Sequence, residues 1–164
     1  MGRNVWMRSF AGLIAYLIVA SLVTLPAKAE PLDTAAVSAV LMDAASKTIL
    51  HEKNAHEKRE PASVTKVMTM LLALEAVESG RLKLEEEVVI SENAHREVDS
   101  DGSVVFLEMG ERRTVEELLI GIAVGSGNDA CVALAEHMAG SEANFVELMN
   151  KRAKDLGMNN TNFA

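Results

Sequence analysis

The chain has 164 residues, the length of about one domain, and its 49% hydrophobic and 24% charged content excludes a disordered or low-complexity protein. Aromatic residues are only 4% and the formal charge is −8, so the basic face and stacking rings that a nucleic-acid partner needs are missing. A single cysteine, Cys131, excludes an internal disulfide and a cysteine-based metal cluster, and it reads as a small core residue of a helix.

The charge is unevenly placed. Residues 1–29 hold Arg3, Arg8, Lys28 and no acid, which leaves 13 basic and 24 acidic residues, or −11, on the remainder. Arg3 and Arg8 precede an uncharged, mostly apolar run from Phe10 to Leu25, which Pro26 stops before Ala27-Lys28-Ala29. A basic end, an apolar stretch and an A-x-A site are the parts of a secretory signal peptide, here expected over 1–29 with cleavage after Ala29. An uncleaved anchor is the alternative, but the run of 16 residues falls short of a bilayer span. The mature chain, 30–164, is then acidic and works outside the cytoplasm. Beyond the leader, nothing in it encodes membrane association.

Along the mature chain, Ala36 to Asp43 and Thr48 to Glu52 are two short β-prone runs joined by a small polar turn, which predicts a hairpin. Lys53 to Glu60 is polar and reads as a surface loop. From Ser63 to Ser79, Val64, Val67, Met68, Leu71, Leu72 and Leu74 follow helical spacing, with Gly80 as the stop. A strand is expected over Glu87 to Ser91 and a loop around 100–103. Thr114-Val-Glu-Glu117 has the form of a capping box opening a helix that Gly125 ends. A second helix runs from Asp129 to Ala139 before Gly140, and Ser141 caps a third from Glu142 to Leu156 before Gly157. No repeat and no linker divides the mature chain.

Two polar groups stand out. Ser63-Val-Thr-Lys66 places a lysine three residues after a serine, on the same face of a helix, where its amine can reach the hydroxyl. A serine in the first turn also lies where partial positive charge favours a developing alkoxide. The lysine serves as base only when burial or a neighbouring cation lowers its pKa. The plainer reading is a capping serine beside a solvated lysine. Ser126-Gly-Asn128 falls in the short break between two apolar helices, where the serine can relay a proton and the amide can hold a carbonyl. Its plainer reading is an N-cap, a role open to Asn128 and Asp129 as well. Ser91-Glu-Asn93 has the same form but lies in a charged stretch. The four histidines read as surface groups, and none has metal-ligand spacing.

In order along the chain, these segments resemble the low-molecular-mass penicillin-binding D-alanyl-D-alanine carboxypeptidases, serine peptidase family S11. The resemblance covers 36–164: Val40 to Ala44 and Ile49 to Asn54, then Glu60-Pro-Ala-Ser-Val-Thr-Lys-Val-Met-Thr69, Phe106 to Gly110, Val115 to Leu119, Ser126-Gly-Asn-Asp-Ala130 and Leu156 to Ala164. It implies an α/β (α+β) fold of the β-lactamase/transpeptidase type, an antiparallel sheet flanked by helices, with the opening hairpin and helical region in this chain. It implies Ser63 as the nucleophile forming an acyl-ester, Lys66 as its base, Ser126 as proton donor to the leaving D-alanine, and Asn128 as a substrate-binding residue. The implied partners are a peptidoglycan stem peptide ending in D-Ala-D-Ala and β-lactams that acylate the same serine. The implied setting is the periplasm or the cell-wall side of a bacterial membrane, and neither metal nor cofactor is implied.

One departure matters. The family's third motif, Lys-Thr-Gly, binds the substrate carboxylate and lines the oxyanion hole. The only Lys-Thr here is Lys47-Thr48, followed by Ile49 in the hairpin turn. The chain therefore reads as the N-terminal part of the catalytic domain, without the later strands, and is expected to be inactive or nearly so. The alternatives are a non-catalytic wall-binding or regulatory protein and a serine β-lactamase relative, the latter disfavoured by Gly127 in place of Asp.

Overall fold

The computed structural model describes residues 32–99 and 101–164. The leader expected over 1–29 lies outside them. The chain divides into two compact units, one ending at Glu57 and the other running from Lys58 to Ala164. The boundary falls in the polar stretch read as a loop, where few apolar side chains are available to pack.

The described part of the first unit is the expected hairpin. Strands β1 (Ala39–Met42) and β2 (Ile49–Lys53) pair antiparallel, from Ala39 opposite Lys53 to Met42 opposite Ile49. Asp43 closes the turn by accepting the Ser46 N–H at 2.7 Å and its hydroxyl at 2.6 Å. These bonds hold the Asp43 carboxyl below its usual pKa.

The second unit is mostly helical. A 3-10 turn (Ala62–Thr65) leads into α1 (Lys66–Glu78). Strand β3 (Glu87–Val89), the short α2 (Glu92–Arg96) and a second 3-10 turn (Glu97–Asp99) follow. Then come β4 (Arg112–Thr114), α3 (Val115–Gly125), α4 (Asn128–Ala139) and α5 (Glu142–Asp155). The Thr114 capping box forms as expected: its hydroxyl accepts the Glu117 N–H at 3.1 Å and Glu117 accepts the Thr114 N–H at 2.8 Å. Gly140 ends α4 at φ 79, a left-handed position where a side chain is strained.

Three expectations are revised. The helix foreseen from Ser63 begins as a 3-10 turn, because the chain enters it through Ala62 at φ 47, which cannot continue an α-helix backwards. The strand foreseen to Ser91 stops at Val89, and Ser91 instead caps α2 by accepting the Ala94 N–H at 3.0 Å. Strand β4 was not foreseen. Arg112 and Arg113 carry no strand signal, and pairing with β3, from Glu87 opposite Thr114 to Val89 opposite Arg112, creates it.

Helix α4 is the centre of the unit, touching α1, α2, α3, α5 and β3. Its Ala130, Ala133 and Leu134 are buried with Ala73 and Ala76 of α1, Leu118 and Ile122 of α3, and Val88 and Ile90. The alanines let the helix axes approach closely, because interaxial distance follows the size of the contact side chains. A second cluster joins Met68, Ala135, Phe145, Met149 and Ala153. Arg152 of α5 grips Glu75 of α1 through both Nε and a terminal nitrogen, at 2.6–3.1 Å. Apolar side chains are not confined to the packed face of α1: Val67 and Leu74, and Val64 of the turn before it, remain exposed. Among the described residues, no helix is long and apolar enough to cross a membrane.

Candidate active site

The 3-10 turn sets the first pair of groups. Side chains three residues apart eclipse one another in such a turn, and the Lys66 Nζ lies 3.4 Å from the Ser63 Oγ. Ser63 is exposed and Lys66 half-buried. Both line a cavity of about 460 Å³, which also takes in Thr69 and Met149, and Asn128, Cys131 and Ser103 from later in the chain. The left-handed Ala62 immediately before Ser63 is a strained entry that the sequence does not reveal.

The second pair lies at the α3–α4 junction. Ser126 ends α3 in the left-handed region, at φ 56 and ψ 32, although it carries a side chain. Its Oγ is buried and has no hydrogen-bond partner among the described residues. Asn128 opens α4 and donates its backbone N–H to the Ser103 carbonyl at 2.8 Å. Ser63, Lys66 and Asn128 thus share one cavity, whereas Ser126 is not among its lining residues.

The competing Ser91-Glu-Asn93 is accounted for structurally. Besides capping α2, the Ser91 hydroxyl donates to Glu136 at 2.5 Å, and the Asn93 amide donates to the same carboxylate at 3.1 Å. These bonds leave the pair as a tie between α2 and α4.

Cys131 lies in α4 on the cavity wall. Burial pushes its thiol up to about 11, while the Lys66 charge and a hydrogen bond with Thr69 pull the other way. The thiol is therefore protonated and unreactive at neutral pH. Two histidines are not the surface groups expected. His51 and His95 are half-buried, with the His95 Nδ1 2.8 Å from the Leu107 carbonyl, whereas His137 is exposed as expected, its Nε2 2.9 Å from Glu86. An imidazole has an apolar body and a polar tip, which lets it sit at the edge of a core. Among the described residues, no group of three or more His, Cys, Asp or Glu side chains is placed to hold a metal ion.

In the sequence, Asp129 shows only as an alternative cap. It is fully buried, and its carboxylate accepts backbone N–H groups from Val105, Leu107 and Ala130 at 2.9–3.1 Å. Its position beside Ser126-Gly-Asn128, at the start of an apolar helix, was the only available signal.

The family model described as D-alanyl-D-alanine carboxypeptidase matches residues 25–164. The D-alanyl-D-alanine carboxypeptidase DacF of Bacillus subtilis is 51% identical over 128 residues, covering 78% of this chain and 32% of that protein. The crystal structure of the D-alanyl-D-alanine carboxypeptidase DacD from Francisella tularensis superposes with a TM-score of 0.80 at 38% identity, over 86% of this chain and 33% of that one. Penicillin binding protein 5 from Haemophilus influenzae gives a TM-score of 0.79 at 41% identity, over 82% of this chain and 39% of that one. The fold is thus that of these proteins over the matched part. The chain spans about a third of the length of the curated relatives it matches.

Proposed function

Because the chain belongs to the D-alanyl-D-alanine carboxypeptidase family, we propose that Ser63 is the nucleophile of a serine-type carboxypeptidase that trims the terminal D-alanine from peptidoglycan stem peptides. The observation that carries this reading is the 3.4 Å approach of the Lys66 amine to the Ser63 hydroxyl on the wall of a cavity shared with Asn128. Lys66 takes the hydroxyl proton while Ser63 Oγ attacks the penultimate D-alanine carbonyl. As the tetrahedral intermediate collapses, the peptide bond breaks and the terminal D-alanine leaves with a proton passed through Ser126. Asn128 holds the substrate amide. Water then cleaves the Ser63 ester, and the proton returns to the serine. A β-lactam opens on the same hydroxyl to give a stable acyl-ester, so penicillins inhibit. The site works outside the cytoplasm, behind the leader at 1–29.

These 164 residues contain no Lys-Thr-Gly. Loss of one oxyanion-hole donor alone costs about a hundredfold to a thousandfold in rate, so the 164-residue chain by itself labels slowly or not at all. The test is a chimera in which these residues replace the matching third of the Bacillus subtilis relative. The expected result is labelling by a fluorescent penicillin and release of D-alanine from a pentapeptide, both lost in Ser63→Ala. A folded chimera that does neither would reject the reading. If it still bound peptidoglycan, the non-catalytic alternative would take its place.

A further inference from the structure

We infer that Asp129 is a positioning residue for Ser126: its buried carboxylate clamps the 103–107 segment against the α3–α4 junction and so fixes the left-handed turn that sets the place of the buried Ser126 hydroxyl. The role of Ser126 rests on the reading above, whereas the clamp rests on geometry alone.

An aspartate in the first turn of a helix ordinarily serves its own helix, by accepting amides there and by facing the positive end of the dipole. Asp129 does this for one amide only, that of Ala130 at 2.9 Å. Its other bonds reach across to a separate segment: the Val105 N–H at 3.0 and 3.1 Å and the Leu107 N–H at 3.0 Å. A carboxylate gripping amides two residues apart forces the residue between them out of the way. Phe106 accordingly sits at φ 60 and is 71% exposed. That costs backbone strain and apolar exposure, and the clamp compensates for both.

The clamp places Val105 where it controls the junction. Its side chain fills the space left by missing Cβ atoms along the end of α3. A Cβ built on Gly125 would stand 2.7 Å from a Val105 methyl, one on Gly127 would stand 3.1 Å away, and one on Gly121 3.3 Å. Ser126 lies between Gly125 and Gly127. Its N–H bonds back to the Ile122 carbonyl at 3.0 Å and that of Gly127 to the Gly121 carbonyl at 3.2 Å. Val105 therefore braces the turn on one side and the helix hydrogen bonds hold it on the other. With the Ser126 Oγ unpartnered among the described residues, no bond of its own sets its direction, and backbone position alone must do so.

The test compares the wild type with Asp129→Asn, which keeps the shape but turns an amide NH₂ toward one set of the donors. In the 164-residue chain, hydrogen exchange of peptides covering 103–107 and 126–128 should rise about tenfold or more, with α5 unchanged. In the chimera, penicillin acylation should slow by about a hundredfold, as expected for a misplaced catalytic group. Adding Asp129→Asn to Ser126→Ala should slow it no further, because one acts through the other. Val105→Ala, which leaves the carboxylate intact, should give the same local rise in exchange and serves where Asp129→Asn does not fold. Unchanged exchange in 103–107 would overturn the clamp. An unchanged acylation rate, or a loss fully additive with Ser126→Ala, would overturn the positioning role. A chimera that never labels rejects the proposed function instead, and the exchange result still decides the clamp.

Discussion

The Lys66 Nζ stands 3.4 Å from the Ser63 Oγ across a single 3-10 turn. The approach needs no partner from elsewhere in the fold. It follows from a spacing of three residues in a turn where such side chains eclipse.

Lys66→Arg separates a base from a simple cation. The guanidinium retains the charge but does not give up a proton. In the chimera, acylation by penicillin should fall by about a hundredfold to ten-thousandfold, the usual worth of a positioned acid or base. The non-covalent affinity, read from the saturation of the acylation rate, should change far less. An Arg variant that labels at the wild-type rate would leave Lys66 an electrostatic role only.

Cys131 gives a pH signature. At pH 8 the folded thiol, held near 11, should react with iodoacetamide about a hundredfold more slowly than in the urea-unfolded chain, whose thiol titrates near 9.0. Because the folded state holds this proton more tightly, the thiol's contribution to stability is complete below pH 9.0 and declines as pH rises toward about 11. Equal rates in both states would show that the cavity wall does not shield the sulfur.

Thr114→Ala removes one half of the reciprocal cap on α3 and should cost about 1 kcal/mol in urea unfolding, with Thr114→Ser restoring most of it. Its effect should be confined to stability, because Thr114 lies outside the cavity that holds Ser63. A full loss of stability in the Ser variant would mean that the methyl group, and not the cap, carries the effect.

The helices α3, α4 and α5 were legible to within a residue at each end, because a capping box, a capping serine and the stop glycines act on immediate neighbours. Helix α1 was legible as a helix but not in its first turn, where the left-handed Ala62 intervenes. Strand β4 was invisible, since two arginines and a threonine form a strand only by pairing with β3. At the site, Ser63 and Lys66 could be paired from their spacing. The cavity they share with Asn128 could not, because Asn128 reaches it through the packing of α4 on α1.

What depends on contacts within a turn or two can be read from the residues alone: the helices, their caps, the serine–lysine spacing, and the ordered motifs that mark the family. Which polar residues lose contact with water follows only from how the elements pack. Asp129 and Ser91 look equally ordinary in sequence. One is fully buried and bonded to amides 22 and 24 residues away, and the other is spent on a cap and on Glu136. Burial and long-range partners are properties of packing, and no local pattern encodes them.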